Sequence, residues 1–184
     1  QMLQRATDAL QRERFDEAAD IYQRVIARRK DTEDAYRKLA LVYWRQGRAA
    51  DAIATLELAL RNGVTQSEVR IKLGQYLTES GKPARAIALL TGTAGTDPDA
   101  LTALGNAYTL AGREREAIAT FNRLLAIDPS NALAYENIGA AQLHAGNVAA
   151  AEPLLRRAIE LDPSLAGAHT ALGVALARTG RRTD

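Results

Sequence analysis

The sequence contains no cysteine, which excludes disulfide frameworks, thiolate zinc sites and cysteine nucleophiles. It has two histidines, His144 and His169, set 25 residues apart and outside any His-Glu-x-x-His arrangement, so no metal site is expected. Long apolar runs are also missing. A membrane-spanning helix needs about 20 consecutive apolar residues, and neither that nor a signal-peptide layout occurs, so no membrane insertion is expected. An excess of one charge is lacking too: 24 Lys and Arg stand against 22 Asp and Glu, a formal charge of +2. Despite a pI near 9.0, that balance does not make the field of a nucleic-acid binder, and nucleic acid is not an expected partner. The one dense basic run, Arg28-Arg29-Lys30, falls at a helix end and has no interleaved aromatics for base stacking.

Catalytic patterns are equally scarce. There is no phosphate loop, no dinucleotide-binding glycine fingerprint after a strand and no serine in a nucleophile elbow. Neighbouring carboxylates such as Asp16 and Glu17, or Glu114 and Glu116, sit at helix starts, where negative charge complements the macrodipole. The reading is therefore not an enzyme, with no catalytic, metal or cofactor-binding residues and no cofactor.

Self-similarity is what the chain does have. Of its 184 residues 47% are hydrophobic, enough for an ordinary core. Three residue ladders share one period. Ala40, Gly74, Gly105, Gly139 and Gly173 are separated by 34, 31, 34 and 34 residues, and Gly47, Gly81, Gly112, Gly146 and Gly180 repeat those gaps. Ala18, Ala52, Ala86, Ala117 and Ala151 form the third, stepping by 34, 34, 31 and 34.

Each unit reads as a helical hairpin. Tyr135, Ile138, Ala141 and Leu143 recur at near-helical spacing, Gly146 and Asn147 break the pattern, and Leu154, Leu155, Ala158, Ile159 and Leu161 resume it. Helices of this length are marginal alone, so each hairpin must bury its stripe against its neighbours. A glycine inside a helix costs roughly 1 kcal/mol relative to alanine. The mid-helix glycines are therefore expected to let backbones cross closely, helped by the small alanines of the second helices. Tyr36, Leu39, Tyr43, Leu73, Leu104, Tyr108, Phe121, Tyr135, Ile138 and Leu172 should fill the core.

These positions resemble the tetratricopeptide repeat (TPR) family. The match is fullest at Leu101, Leu104-Gly105, Tyr108, Ala117, Phe121, Leu124 and Pro129, and continues through Tyr135, Ile138-Gly139, Ala151, Ala158 and Pro163. Departures are Leu101 and Leu124, where the family prefers an aromatic and a small residue, and Gln142 and Leu155, which replace aromatics. The resemblance implies an all-α fold, an α-solenoid forming a right-handed superhelix of about five and a half helix-turn-helix units, with the first helices lining a concave groove.

The single array 1–184 divides into units 1–32, 33–66, 67–97, 98–131, 132–165 and a half unit 166–184. The first helix should begin at or before Gln1 and the last unit lacks its second helix, so a fragment of a longer protein is expected. The third unit is short because Thr91-Gly92-Thr93-Ala94-Gly95 replaces the last helical turns. Its second helix should stop near Leu90, Asp97-Pro98 should open the next, and the superhelix should be perturbed there. Pro153 falls inside a helix and should leave a carbonyl unpaired or produce a kink.

By phase, the groove-lining positions are those three before and one after each crossing residue, and those four or five beyond it. They comprise Arg37, Leu41, Trp44 and Arg45, with Lys38 beside them, then Ile71, Gln75, Thr78 and Glu79 with Lys72. Farther along come Thr102, Asn106, Thr109, Leu110, Glu136, Ala140, Leu143 and His144, with Asn137 flanking, and then Thr170, Val174, Ala177 and Arg178. Arg37, Lys38, Leu41, Trp44, Arg45, Gln75, Asn106, Asn137 and Leu143 are the candidate partner-binding residues. Trp44 is either an anchor, since aromatic and arginine side chains dominate interface energies, or packs on an adjacent loop or on the N-terminal extension expected to be missing. The resemblance also suggests that Asn106 and Asn137 hydrogen-bond a peptide backbone, as in some members' asparagine-lined grooves. The family's carboxylate clamp is not matched, because Thr102, Gly167 and Ala171 stand where it has basic residues. A chaperone co-factor role is disfavoured.

The leading expectation is a non-catalytic scaffold holding a protein or peptide segment, or a partner helix, in the groove. The alternatives are the repeat region of a larger bacterial enzyme, sulfatase-, sulfotransferase- or glycosyltransferase-like, and a homo-oligomeric element self-associating through exposed end helices. Ala- and Arg-rich composition hints at a bacterial source, and nothing in the sequence marks a compartment.

Overall fold

A computed structural model describes residues 1–180. Among these residues the chain forms eleven α-helices and no strands: α1 Met2–Gln11, α2 Phe15–Arg28, α3 Glu33–Arg45, α4 Ala49–Arg61, α5 Ser67–Glu79, α6 Pro83–Leu90, α7 Pro98–Leu110, α8 Glu114–Ile127, α9 Ala132–His144, α10 Val148–Leu161 and α11 Ala166–Arg178. The fold class is all-α, an α-solenoid of helical hairpins.

The second glycine ladder makes the hairpin turns. Gly47, Gly81, Gly112 and Gly146 adopt φ of +74, +71, +68 and +81°, the left-handed region that ends a helix and that side chains resist. Beside each, the next amide reaches back to a carbonyl five residues earlier, Arg48 to Tyr43 at 2.9 Å and Lys82 to Leu77 at 2.8 Å, followed by Arg113 to Tyr108 at 2.9 Å and Asn147 to Gln142 at 2.8 Å. The first hairpin makes the same turn without glycine: Glu13 has φ +56°, and the Arg14 amide reaches the Ala9 carbonyl at 2.8 Å.

The first ladder makes sockets rather than backbone crossings alone. A methyl carbon added at Gly74 would lie 2.5 Å from Leu90 Cδ1, at Gly105 2.6 Å from Phe121 Cζ, and at Gly139 2.7 Å from Leu155 Cγ. Each partner stands four residues beyond its ladder alanine, Ala86, Ala117 or Ala151. The alanine permits approach, and a large side chain one turn later fills the space. Leu90, Phe121 and Leu155 are essentially fully buried, as are Tyr22 and Leu56 at the same register. Gly173 meets nothing within 4 Å. The other expected core residues are buried except Tyr135 and Leu172, which are half-buried.

The chain divides into two compact units, Gln1–Thr93 and Ala94–Asp184. In the first, α2 packs between α1 and α3, α4 between α3 and α5, and α6 on α5. In the second, α8 packs between α7 and α9, α10 between α9 and α11, and α11 also meets α9. The division falls at the expected irregularity. The hydroxyls of Thr91 and Thr93 donate to the carbonyls of Ile87 and Leu89 at 2.7 and 3.2 Å, occupying the end of α6, while Asp97 caps α7 by accepting from the Asp99 and Ala100 amides at 2.9 and 3.2 Å. Asp128 and Asp162 instead terminate α8 and α10 and accept from Ser130 and Ser164. Pro153 lies within α10 on an exposed face, and Ala149, whose carbonyl it cannot serve, is exposed as well.

Candidate functional site

The first helices carry the expected binding positions, and their register decides which side chains are available. In unit 1 the indole of Trp44, on α3, stacks on the ring of Tyr76, on α5, with centroids 4.1 Å apart and planes 3° from parallel. Trp44 stands four residues past Ala40, and Tyr76 two past Gly74. The same two positions meet again in unit 2, where Leu143 clusters with Ala175, Ala151 and Leu155. At Trp44 and Leu143 the fourth residue beyond the crossing point is thus a contact with the next hairpin, whereas Thr109, at the same phase, is exposed. Leu143 is 5% exposed, and the adjacent helices α10 and α11 remove it from the available surface. Ile71 and Thr78, each 8% exposed, are also buried rather than inward-facing. Trp44 keeps partial exposure after stacking.

Sequence reasoning missed Tyr76. The available signal was its register: the corresponding positions hold Val42, Ala107, Ala141 and Ala175, so it is the one aromatic in that row. Tyr76 is 4% exposed, and burial pushes its phenol up to about 12, with Glu79 adding to the rise and Arg45 opposing it. Lys72 Nζ lies 5.7 Å from the Tyr76 ring centroid and donates to Gln75 Oε1 at 2.8 Å.

The cationic end is largely compensated by its own helix. Arg37 Nε lies 2.7 Å from Glu33 Oε1, and Arg37 also approaches Asp34 at 3.8 Å. Lys38 lies 3.0 Å from Asp34 Oδ2 and donates to Thr7 Oγ1 at 3.1 Å, tying α3 to α1. Arg45 is exposed, Leu41 and Gln75 are half-buried, and Lys72 is similarly placed. Residues 1–93 contain sixteen Lys and Arg against twelve Asp and Glu, while residues 94–184 contain eight against ten. Positive charge is therefore concentrated in the first unit.

In unit 2, Asn106 is exposed and Asn137 is half-buried, its Nδ2 donating to the Leu133 carbonyl at 2.8 Å. Glu136 rests against α11 where Gly167 supplies no side chain, and burial raises its carboxyl above the usual range, with Asp162 contributing. His144 is exposed, and His169 Nε2 lies 2.9 Å from the Pro163 carbonyl. Among the described residues no group of three or more His, Cys, Asp or Glu could hold a metal ion. No described helix is long and apolar enough to cross a membrane.

The family profile described as Tetratricopeptide repeat matches residues 3–64 and 137–184, and a second, described as TPR repeat, matches residues 105–146. No curated protein sequence matches the chain. Among solved structures, it is similar to YrrB, a TPR protein with an unusual peptide-binding site, at 23% identity and TM-score 0.76 over 92% of this chain and 89% of that one. It is similar to MamA residues 41 to the end from Desulfovibrio magneticus RS-1, at 16% identity and TM-score 0.78 over 90% and 95%. A third likeness, at 20% identity and TM-score 0.76, is to a chain of the APC/C hetero-tetramer Cut9-Hcn1, covering 97% of this chain and 36% of that one. These structural likenesses support the fold. With the profiles matching well over half the residues in the register of the glycine and alanine ladders, the chain belongs to the tetratricopeptide repeat family.

Proposed function

We propose that this chain is a non-catalytic scaffold that holds a peptide segment or partner helix along its first helices. The supporting observation is that in unit 1 the half-buried Leu41, the partly exposed Trp44 and the exposed Arg45 of α3, and the half-buried Gln75 of α5, share the predicted register, with Trp44 stacked across to α5. Arg37 and Lys38 frame the row through their pairs with Glu33 and Asp34. A rigid aromatic beside an arginine that no carboxylate pairs with among the described residues combines apolar area with a directional donor, the composition that concentrates binding energy in protein interfaces. Asn106 and Asn137 extend the proposal to the second unit as backbone hydrogen-bonding groups.

Peptides selected from a random display library on the folded full chain test this reading. Their binding should quench or shift the fluorescence of Trp44, the sole tryptophan, and weaken on Trp44→Ala or Arg45→Ala. Affinity that survives these changes together with Gln75→Ala, Asn106→Ala and Asn137→Ala would place recognition elsewhere.

A second reading, self-association through α11, is favoured by the open space at Gly173 and by Val174, which is 41% exposed. Sedimentation of the full chain across concentration tests it, and a monomer throughout would remove it.

A further inference from the structure

Two grooves of unit 1 lie between neighbouring second helices, and their linings coincide at a step of 34 residues. The first, of about 270 Å³, is floored by Ile26, Leu39 and Tyr43 and walled by Leu58. The second, of about 420 Å³, presents Leu60, Leu73 and Leu77 at the same register, with Leu89 completing its apolar lining. The position equivalent to Leu58 is Gly92. Because α6 ends at Leu90, the wall present in the first groove is missing from the second. Nothing lies within 4 Å of a methyl carbon built at Gly92.

Charge distinguishes the two grooves further. Gln23 and Ala27 of the first are replaced by Glu57 and Arg61 in the second. Glu57 is paired with Arg85. Among the described residues no carboxylate pairs with Arg61, which is exposed, so the mouth carries one uncompensated positive charge over an aliphatic floor. The volume falls within the about 300–1,000 Å³ of ordinary ligand pockets.

We propose that the groove opened by the short α6 is a second binding site, independent of the first-helix row. It takes an acidic peptide that inserts a leucine-sized side chain over Leu60, Leu73, Leu77 and Leu89 and sets a neighbouring carboxylate against Arg61. Charge complementarity selects an acidic occupant, and the missing wall at Gly92 gives its aliphatic side chain entry. The three-residue shortening of this repeat thereby gains a function, since a full-length helix would close the groove as Leu58 narrows the one before it.

The acetylated, amidated hexapeptide Ser-Asp-Leu-Leu-Glu-Ser, titrated into the ¹⁵N-labelled full chain, is the test. Amide shifts should concentrate in 57–61, 73–77 and 85–92. Gly92→Leu, at an exposed glycine with φ outside the left-handed region, should restore the wall and weaken binding about tenfold or more, the loss of one buried aliphatic side chain. Arg61→Glu should weaken it about fivefold, as should replacement of both peptide acids by their amides, and added salt should mimic that change. Circular dichroism melts check that both variants remain folded. Trp44→Ala should leave this affinity within about twofold, which separates failure here from failure of the first-helix reading. Shifts mapping instead to α3 and the exposed side of α5, absence of binding, or affinity indifferent to Gly92→Leu would overturn the proposal.

Discussion

At Gly105 an added methyl carbon would sit 2.6, 2.7 and 3.0 Å from three atoms of the Phe121 ring, a rigid group with no flexible end to yield. At Gly173 the same carbon would meet nothing. Gly105→Ala should therefore destabilise by about 1–3 kcal/mol through overpacking, even after its gain in helix propensity. Gly173→Ala should stabilise by about 0.5–1 kcal/mol. Denaturant melts of the two variants should move in opposite directions, and equal shifts would contradict the socket geometry. Glu13 supplies a complementary case. It occupies the left-handed turn position that glycine holds in the later hairpins, at a backbone cost of roughly 1 kcal/mol for a side chain. Glu13→Gly should recover about that amount, visible as a raised midpoint with an unchanged denaturant slope.

Within a helix, the next question is how interruptions are tolerated. Pro153 removes an amide from the interior of α10, yet both it and Ala149 face solvent, so water can serve the stranded carbonyl. Pro153→Ala restores the internal hydrogen bond and should stabilise by about 1–3 kcal/mol in thermal melts, less the proline's restriction of the unfolded chain. Between helices, the Trp44–Tyr76 stack links α3 to α5 and buries the Tyr76 phenol. Its folded pKa of about 12 exceeds the ordinary value of 10.0, so the unfolded chain loses this proton first as pH rises. Stability is unaffected by this group below about pH 10 and falls between about 10 and 12, by on the order of 2 kcal/mol. Tyr76→Phe should flatten that part of the stability profile, with residual slope from Tyr22, whose phenol is also raised by burial. An identical alkaline loss in Tyr76→Phe would show that the stack does not carry it. Helix order and turn positions were legible because glycine, proline and Asp-Pro act through local backbone chemistry. Leu143 was misplaced because a single helix's phase cannot show that α10 and α11 cover it, and Tyr76 was missed because a core residue at a row of small side chains becomes notable only beside Trp44.

Across the molecule, the sequence irregularity at residues 91–96 and the division of the chain coincide, and one local cause underlies both. Four poor helix formers, Thr91, Gly92, Thr93 and Gly95, end α6 at Leu90, the threonine hydroxyls satisfy its last carbonyls, and Asp97 starts α7 afresh, so the segment between them has no helical ladder of its own. Each flanking unit has its own core, with Leu56 and Leu90 fully buried in the first and Phe121 and Leu155 in the second. The ladders made the repeats visible in sequence, whereas the division depended on how contacts close within each unit, which no spacing reveals. Cleavage requires a segment to open locally, and opening is least costly where few backbone hydrogen bonds must break. Residues 91–93, 95 and 96 are exposed, whereas Ala94 is buried and holds the middle of the segment down. Brief digestion of the full chain with subtilisin, which accepts most small and apolar sequences, should therefore cut first within 91–96 and leave two helical fragments of similar size. Mass spectrometry would locate the cut. First cleavage at the hairpin turns around Gly47 or Gly112 instead would mean that the units open at their internal turns before they part here.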